Sequence, residues 1–167
     1  ALETHGKHAA QILLTADDLN DRTRYLNVRN TVLALFRYGA IPIINENDTV
    51  RVDELQRNVG DNDQLAAMVT NLIRAPLLVL LSDVAGLYDG LPEDPNSSVI
   101  PVVHDLNQAI HQLIFDKNKS NAWSKGGMRS KLEAAQIATA AGENVIIADG
   151  RRPRVLTQIF QAEPFGT

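Results

Sequence analysis

Apolar residues along this chain gather in short dense runs, separated by longer stretches where they recur every three or four positions. The dense runs predict strands and the periodic stretches predict helices. Residues 10–14, with Ala10, Ile12, Leu13 and Leu14, predict the first strand. Residues 40–44 (Ala40, Ile41, Pro42, Ile43, Ile44) predict the second. That second run lacks polar alternation, as a parallel strand buried on both faces does. Residues 76–82, through Leu77, Leu78, Val79, Leu80 and Leu81, predict a central strand, and 99–103 and 144–148 predict two more.

Between them, Asp17 or Asp18 is expected to cap one long helix reaching Tyr38, with Tyr25, Val28, Val32, Leu35 and Phe36 at helical spacing and Gly39 as its stop. Residues 49–58 alternate Val50, Val52 and Leu55 with Arg51, Asp53 and Gln56, which predicts a small β-hairpin. Residues 62–74, 106–115, 128–141 and 153–161 predict helices, the last with Pro153 near its start. Residues 83–98, rich in Gly, Pro, Asp and Asn, predict a loop, and 116–127 form a polar stretch. Residues 2–7 read as the tail of a helix stopped at Gly6, so a preceding portion is expected upstream. Alternating strands and helices predict an α/β fold: a three-layer αβα sandwich with a mainly parallel sheet, a small β-hairpin and right-handed crossovers.

The 167 residues suffice for one domain with a real core, and no linker or repeat divides residues 1–167. Hydrophobic content of 44% and charged content of 22% are those of a globular protein. A net charge of −4 provides no basic field for nucleic acid, and Arg151-Arg152-Pro153-Arg154 reads as a solvated helix start. The absence of cysteine removes thiolate nucleophiles, Cys-ligated metals and disulfides, and fits a cytoplasmic setting. No apolar run approaches the ~18 residues that a membrane span needs.

Polar residues cluster at strand and helix ends. Asn45-Glu46-Asn47-Asp48 ends the second strand, and Gly60-Asp61-Asn62-Asp63 opens a helix. In an open α/β sheet ligands bind at such edges. Acidic groups gathered there call for a cation, whether a metal, a lysine or a substrate ammonium. Taken singly, these residues also serve as turn formers and N-caps. Ser82-Asp83 ends the central strand, where it either touches a nucleotide or simply makes the turn. Gly126-Gly127-Met128-Arg129-Ser130-Lys131 brings two glycines and a lysine to a helix start. Backbone N–H groups, the helix dipole and a lysine make a phosphate site in principle, with a capped surface helix as the plainer alternative. The segment lacks Walker A spacing. His5, His8, His104 and His111 show no metal-ligand spacing, and no G-x-S-x-G elbow is present. Carboxylates and cations at one edge suit phosphoryl transfer.

Four segments follow in order: 43–48 (I-I-N-E-N-D), 59–63 (V-G-D-N-D), 80–88 (L-L-S-D-V-A-G-L-Y) and 126–131 (G-G-M-R-S-K). Together they resemble the glutamate 5-kinase branch of the amino acid kinase superfamily, from about Gln11 to the C-terminus. The resemblance implies a carbamate kinase-like fold whose N-terminal part is absent. It implies transfer of the γ-phosphoryl group of ATP to the γ-carboxylate of L-glutamate, the first step of proline biosynthesis. By that resemblance Asp48, Asn62 and Asn45 bind glutamate, Asp48 pairing with its ammonium. Asp63 orients two phosphate-binding lysines, of which Lys131 is one. Ser82, Asp83, Lys125, Gly126, Gly127, Met128, Arg129, Ser130 and Lys131 line the ATP site, and Mg²⁺ rides on the nucleotide with no metal ligand from the protein.

Two departures stand out: Ser82 occupies a position that is usually Thr, and Ser124-Lys125 replaces the usual Gly-Thr. The family's opening strand and its other catalytic lysine have no counterpart here, so the chain alone is expected to be inactive. A homo-oligomer is expected. A sister kinase acting on N-acetylglutamate, aspartate or UMP is the nearest alternative, and a non-catalytic nucleotide-binding or oligomerisation module the next.

Overall fold

Two runs rich in Ile, Leu and Ala lie side by side in the first half of the chain. The computed structural model describes residues 2–50, 62–90, 93–104, 106, 127–161 and 167. Among them β1 (His8–Leu14) pairs in parallel with β2 (Ala40–Glu46), Leu14 standing opposite Glu46. Likewise β3 (Leu77–Ser82) pairs in parallel with β4 (Asn144–Asp149), Ser82 opposite Asp149. The chain divides into two compact units, Ala1–Ala75 and Pro76–Thr167, each built on one of these sheets. The mixed α/β class and the parallel pairing are as the sequence predicts.

In the first unit the helices are α1 (Ala16–Asn20), α2 (Arg22–Arg37) and α3 (Asn62–Ile73). The single long helix expected up to Tyr38 is thus two helices. Asp21 is extended (φ −80°, ψ 126°), and its carboxylate accepts the N–H of Arg24 at 2.9 Å, so it caps α2 and breaks the run. The cap of α1 is Thr15, not Asp17 or Asp18. Its hydroxyl accepts the N–H of Asp18, whose carboxylate in turn accepts the Thr15 N–H at 2.8 Å, a reciprocal capping box.

Leu14 and Leu65 form the core of this unit, with Ile12, Val28, Ile44 and Met68 packed around them. Val32 and Leu72 are fully buried, each contributing about 1.5–3 kcal/mol through removal of apolar surface from water. The opposite face of the sheet does not follow the expectation for residues 40–44. Leu13, Ile41 and Ile43 are about half exposed, because α1, α2 and α3 pack on the Ile12–Ile44 side. Gly6 ends a short turn of 3₁₀ helix (Glu3–His5), as expected of a stop residue. The hairpin expected at 49–58 lies outside the described residues except for its start, where Asp48–Val50 form a 3₁₀ turn.

The second unit carries α4 (Gly127–Ala140) and α5 (Val155–Phe160). Val155 and Ile159 of α5 pack with Leu77, Val79, Ile146 and Ala148 on one face of the sheet. On the other face Leu132 and Ala135 of α4 meet Val145 and Ile147 around a small apolar cavity. Within this unit the order is therefore helix, sheet, helix. Thr167 adds to the sheet: its N–H and C=O exchange hydrogen bonds with Ile147 at 3.1 and 2.8 Å, as an antiparallel pair does.

The strand expected at 99–103 reduces to a single antiparallel bridge between Tyr88 and Val99. Pro101 has no N–H to continue a ladder. Pro153 precedes α5 rather than opening it, and Arg154 stands at the N-cap in the left-handed region (φ 60°) without a side-chain cap. The helix expected at 106–115 and the polar stretch at 116–126 lie outside the described residues apart from Leu106. No helix among the described residues is long and apolar enough to cross a membrane.

Candidate functional site

Parallel pairing sends the ends of β1 and β2 to the same edge, and the polar segment of β2 starts there. Asn45 pairs with Leu13 and Glu46 with Leu14. Just beyond, the N–H of Asn47 donates to the carbonyl of Leu14 at 2.8 Å, which ties the exit of β2 to the exit of β1. The hydroxyl of Thr49 donates to the Asn47 side-chain oxygen at 2.6 Å, and Asp48 opens the 3₁₀ turn, exposed. These bonds hold the backbone that carries Asp48 and Asn45.

The second acidic cluster starts α3. Leu65, one turn into that helix, shares the core with Leu14 and Ile44. The N-terminus of α3 therefore lies at the carboxyl edge of the β1–β2 sheet, where Asn45 and Asp48 also stand. Asn62 is exposed and Asp63 half-buried in the first turn. The helix N-terminus contributes partial positive charge at this edge. Asn45, Asp48, Asn62 and Asp63 thus lie towards one edge of the first unit.

The second unit presents an edge of its own. Ser82 and Asp149 end the paired strands side by side. The Ser82 hydroxyl donates to the Asp83 carboxylate at 3.3 Å. Helix α4 returns into β4 through a turn at 141–143, so it runs antiparallel to that strand. Its 14 residues extend about 21 Å, and the six of β4 about 20 Å. The start of α4 therefore lies at the carboxyl edge, near the level of Ser82 and Asp149.

Within that start, Met128 and Ser130 are buried, and Lys131 is half-buried. The Ser130 hydroxyl has no hydrogen-bond partner among the described residues. Arg129 is exposed and spans one turn to Glu133, Nε to Oε1 at 2.8 Å, as a surface i,i+4 pair does. Lys125 and Gly126 lie outside the described residues.

One group at this edge escaped the reading of the sequence. Asp149 ends β4, and Gly150 and Arg151 turn the chain directly after it. The Asp149 carboxylate accepts the Arg151 backbone N–H at 2.9 Å, and from the guanidinium it accepts Nε at 2.9 Å and Nη2 at 3.0 Å. The Arg151 side chain, then its backbone N–H, holds the Asp149 carboxyl below the usual carboxylate range. Arg151 is pushed up in return, chiefly by its hydrogen bonds to Asp149. Nη2 also donates to the backbone carbonyl of Asp83. The four residues Arg151-Arg152-Pro153-Arg154 are therefore not one solvated helix start, since Arg151 belongs to the strand edge. A Gly-Arg pair after a strand is a faint signal, and its partner Asp83 lies 68 residues away.

Among the described residues no three His, Cys, Asp or Glu side chains gather in a group suited to a metal ion.

The sequence profile described as the amino acid kinase family matches residues 1–149. The glutamate 5-kinase of Dehalococcoides mccartyi (strain ATCC BAA-2266 / KCTC 15142 / 195) is 48% identical over 165 residues, 98% of this chain and 44% of that protein. The glutamate 5-kinase of Rhodopirellula baltica is 44% identical over 167 residues, 100% of this chain and 42% of that one. That of Gloeobacter violaceus is 46% identical over 163 residues, 97% and 43% respectively. The chain thus spans less than half the length of these relatives. A solved carbamate kinase from Giardia lamblia aligns over 92% of this chain and 57% of its own, with a TM-score of 0.49 and 16% identity, too slight a likeness to build on.

Proposed function

The chain belongs to the amino acid kinase family, and from that premise we propose that it serves the ATP-dependent phosphorylation of the γ-carboxylate of L-glutamate, giving L-glutamate 5-phosphate for proline biosynthesis. The carrying observation is that a match 48% identical to a glutamate 5-kinase covers 98% of the chain. In this reading Asp48, Asn45 and Asn62 hold glutamate. A carboxylate at Asp48 suits a free α-ammonium, which an N-acetylated substrate lacks. Lys131 meets the transferred phosphoryl group and Asp63 orients it. Ser82, Asp83 and the segment from Lys125 to Lys131 bind ATP, the N–H groups at the start of α4 facing its phosphates. Mg²⁺ enters as a counter-ion carried by the nucleotide. A cytoplasmic homo-oligomer belongs to the same proposal.

The resemblance calls for a second cationic group on the transferred phosphoryl, from the part of the relatives that this chain does not span. The activity is therefore proposed for a chain that includes that part, with the 167 residues inactive by themselves. The test is a chimera in which this segment replaces its counterpart in the Dehalococcoides enzyme. With glutamate and ATP it should form an acyl phosphate trapped by hydroxylamine. Turnover of only N-acetylglutamate, aspartate or UMP would transfer the proposal to a sister kinase. A folded chimera without any ATP binding would support a non-catalytic module.

A further inference from the structure

The exits of β3 and β4 are joined by more than their ladder. The N–H of Gly150 donates to the carbonyl of Ser82 at 2.8 Å. One residue further, the Arg151 guanidinium donates to the carbonyl of Asp83. Two successive carbonyls of the β3 exit are thus held by two successive residues of the β4 exit. A Cβ on Gly150 would stand 3.2 Å from the Cβ of Leu81, so the approach leaves little room for a larger residue.

Arg151 does not make this contact as a loose surface side chain. Asp149 takes both Nε and Nη2, at 2.9 and 3.0 Å, in the forked arrangement that fixes a guanidinium plane. The carboxylate also accepts the backbone N–H of the same arginine. The side chain is anchored from both ends before it reaches Asp83, so little further rotamer freedom is lost in the contact.

From this geometry we propose that Arg151, locked by Asp149, is a positioning residue for nucleotide binding: it sets the backbone of Ser82-Asp83, the pair read as touching ATP. The inference rests on the kinase reading given above. Arg151 acts through the Asp83 carbonyl, and the Ser82 hydroxyl and Asp83 carboxylate then meet the nucleotide in a fixed relation. Loss of the clamp loosens the ATP edge. The glutamate residues Asn45, Asp48 and Asn62 come from a different sheet edge and should be unaffected.

The test is steady-state kinetics on the chimera with Arg151→Ala, Arg151→Lys, Asp149→Asn and the double variant R151A/D149N. Arg151→Ala should raise KM for ATP about tenfold, the loss of one charge-assisted hydrogen bond, with KM for glutamate unchanged. Arg151→Lys keeps the charge without the fork and should fall between. Asp149→Asn should resemble Arg151→Ala, and the double variant should be no worse than either single one. Thermal midpoints taken alongside exclude general unfolding, and Arg151→Lys carries the test should Arg151→Ala fold poorly. Equal rises in both KM values, or an unchanged KM for ATP in every variant, would overturn the clamp and leave the kinase reading intact. A parent chimera that uses no ATP at all overturns the kinase reading, and the clamp with it.

Discussion

The Arg29 guanidinium donates through Nε to the backbone carbonyl of Leu72 at 3.1 Å, joining the middle of α2 to the last turn of α3. That carbonyl is one of the four a helix leaves without an internal partner, and it sits at the negative end of the helix dipole. A cation there satisfies the acceptor and complements the dipole. Arg29→Met should lower stability by about 1–2 kcal/mol, read as a shift of the urea midpoint at constant slope. Arg29→Lys should recover part of it. Should Arg29→Met leave the midpoint unmoved, the contact contributes nothing to the fold.

The ends of α3 and α4 use the same bonding with different residues. At α3, Ala75 N–H reaches Thr70 O at 3.0 Å and Arg74 N–H reaches Asn71 O at 3.2 Å. At α4, Glu143 N–H reaches Ala138 O at 3.2 Å and Gly142 N–H reaches Thr139 O at 2.9 Å. Both are Schellman motifs, with the left-handed position filled by Arg74 (φ 54°) in one and Gly142 (φ 91°) in the other. An L side chain strains that conformation by about 1 kcal/mol. Arg74→Gly should therefore stabilise the protein by about 0.5–1 kcal/mol. Gly142→Ala should destabilise it by about 1 kcal/mol or more. Opposite signs in thermal melts of the two variants are the expected outcome, and equal signs would contradict the shared motif.

Acid should weaken the start of α1. Partial burial pushes the Asp18 carboxyl up, but the Thr15 backbone and hydroxyl hydrogen bonds, with Arg24 beside it, outweigh this and hold it below its ordinary value. A carboxyl lowered in the folded state adds stability above its unfolded value of about 3.9, and that addition fades as pH falls through the folded value. The window therefore opens below about pH 4. Asp18→Asn keeps the shape and removes the charge, and should cost about 1 kcal/mol near pH 7. The gap between the two proteins should narrow as pH drops from 4 towards 2. A gap that stays constant over that range would show the charge on Asp18 to be irrelevant.

Much of this fold is written in local pattern. The runs around Ile12, Ile43, Val79 and Ile146 mark their strands within two residues, because Ile, Val and Leu in short blocks bounded by polar residues leave few alternatives. The break between α1 and α2 is harder to read. Leu19 and Leu26, seven positions apart, keep a helical spacing across it, and only the second capping role of Asp21 ends the run. The strand expected at 99–103 fails at Pro101. The acidic clusters are legible because each sits where a strand or helix terminates. The Arg151 contact is not, since it depends on a pairing register that brings Asp149 beside Ser82. Composition told that residues 151–154 are basic, and only the fold separates Arg151 from the others.

The two edges make separable demands on a glutamate kinase. Asp48, in the 3₁₀ turn just past β2, stands with Asn45 at the sheet edge of the first unit, and Lys131 stands in the first turns of α4 in the second. If Asp48 meets the substrate ammonium, its charge acts in the bound ground state and in the transition state alike. Asp48→Asn in the chimera should then raise KM for glutamate about 10–100-fold with a small change in kcat, since a charged hydrogen bond contributes ~1.5–3 kcal/mol. If Lys131 meets the transferred phosphoryl group, its charge matters most as that group loosens between donor and acceptor. Lys131→Met should lower kcat about 10²–10³-fold, with KM for glutamate nearly unchanged. The pattern is diagnostic because general damage to the fold would lower kcat in both variants. An Asp48→Asn enzyme with unaltered glutamate KM, or a Lys131→Met enzyme with unaltered kcat, would remove that residue from its proposed role.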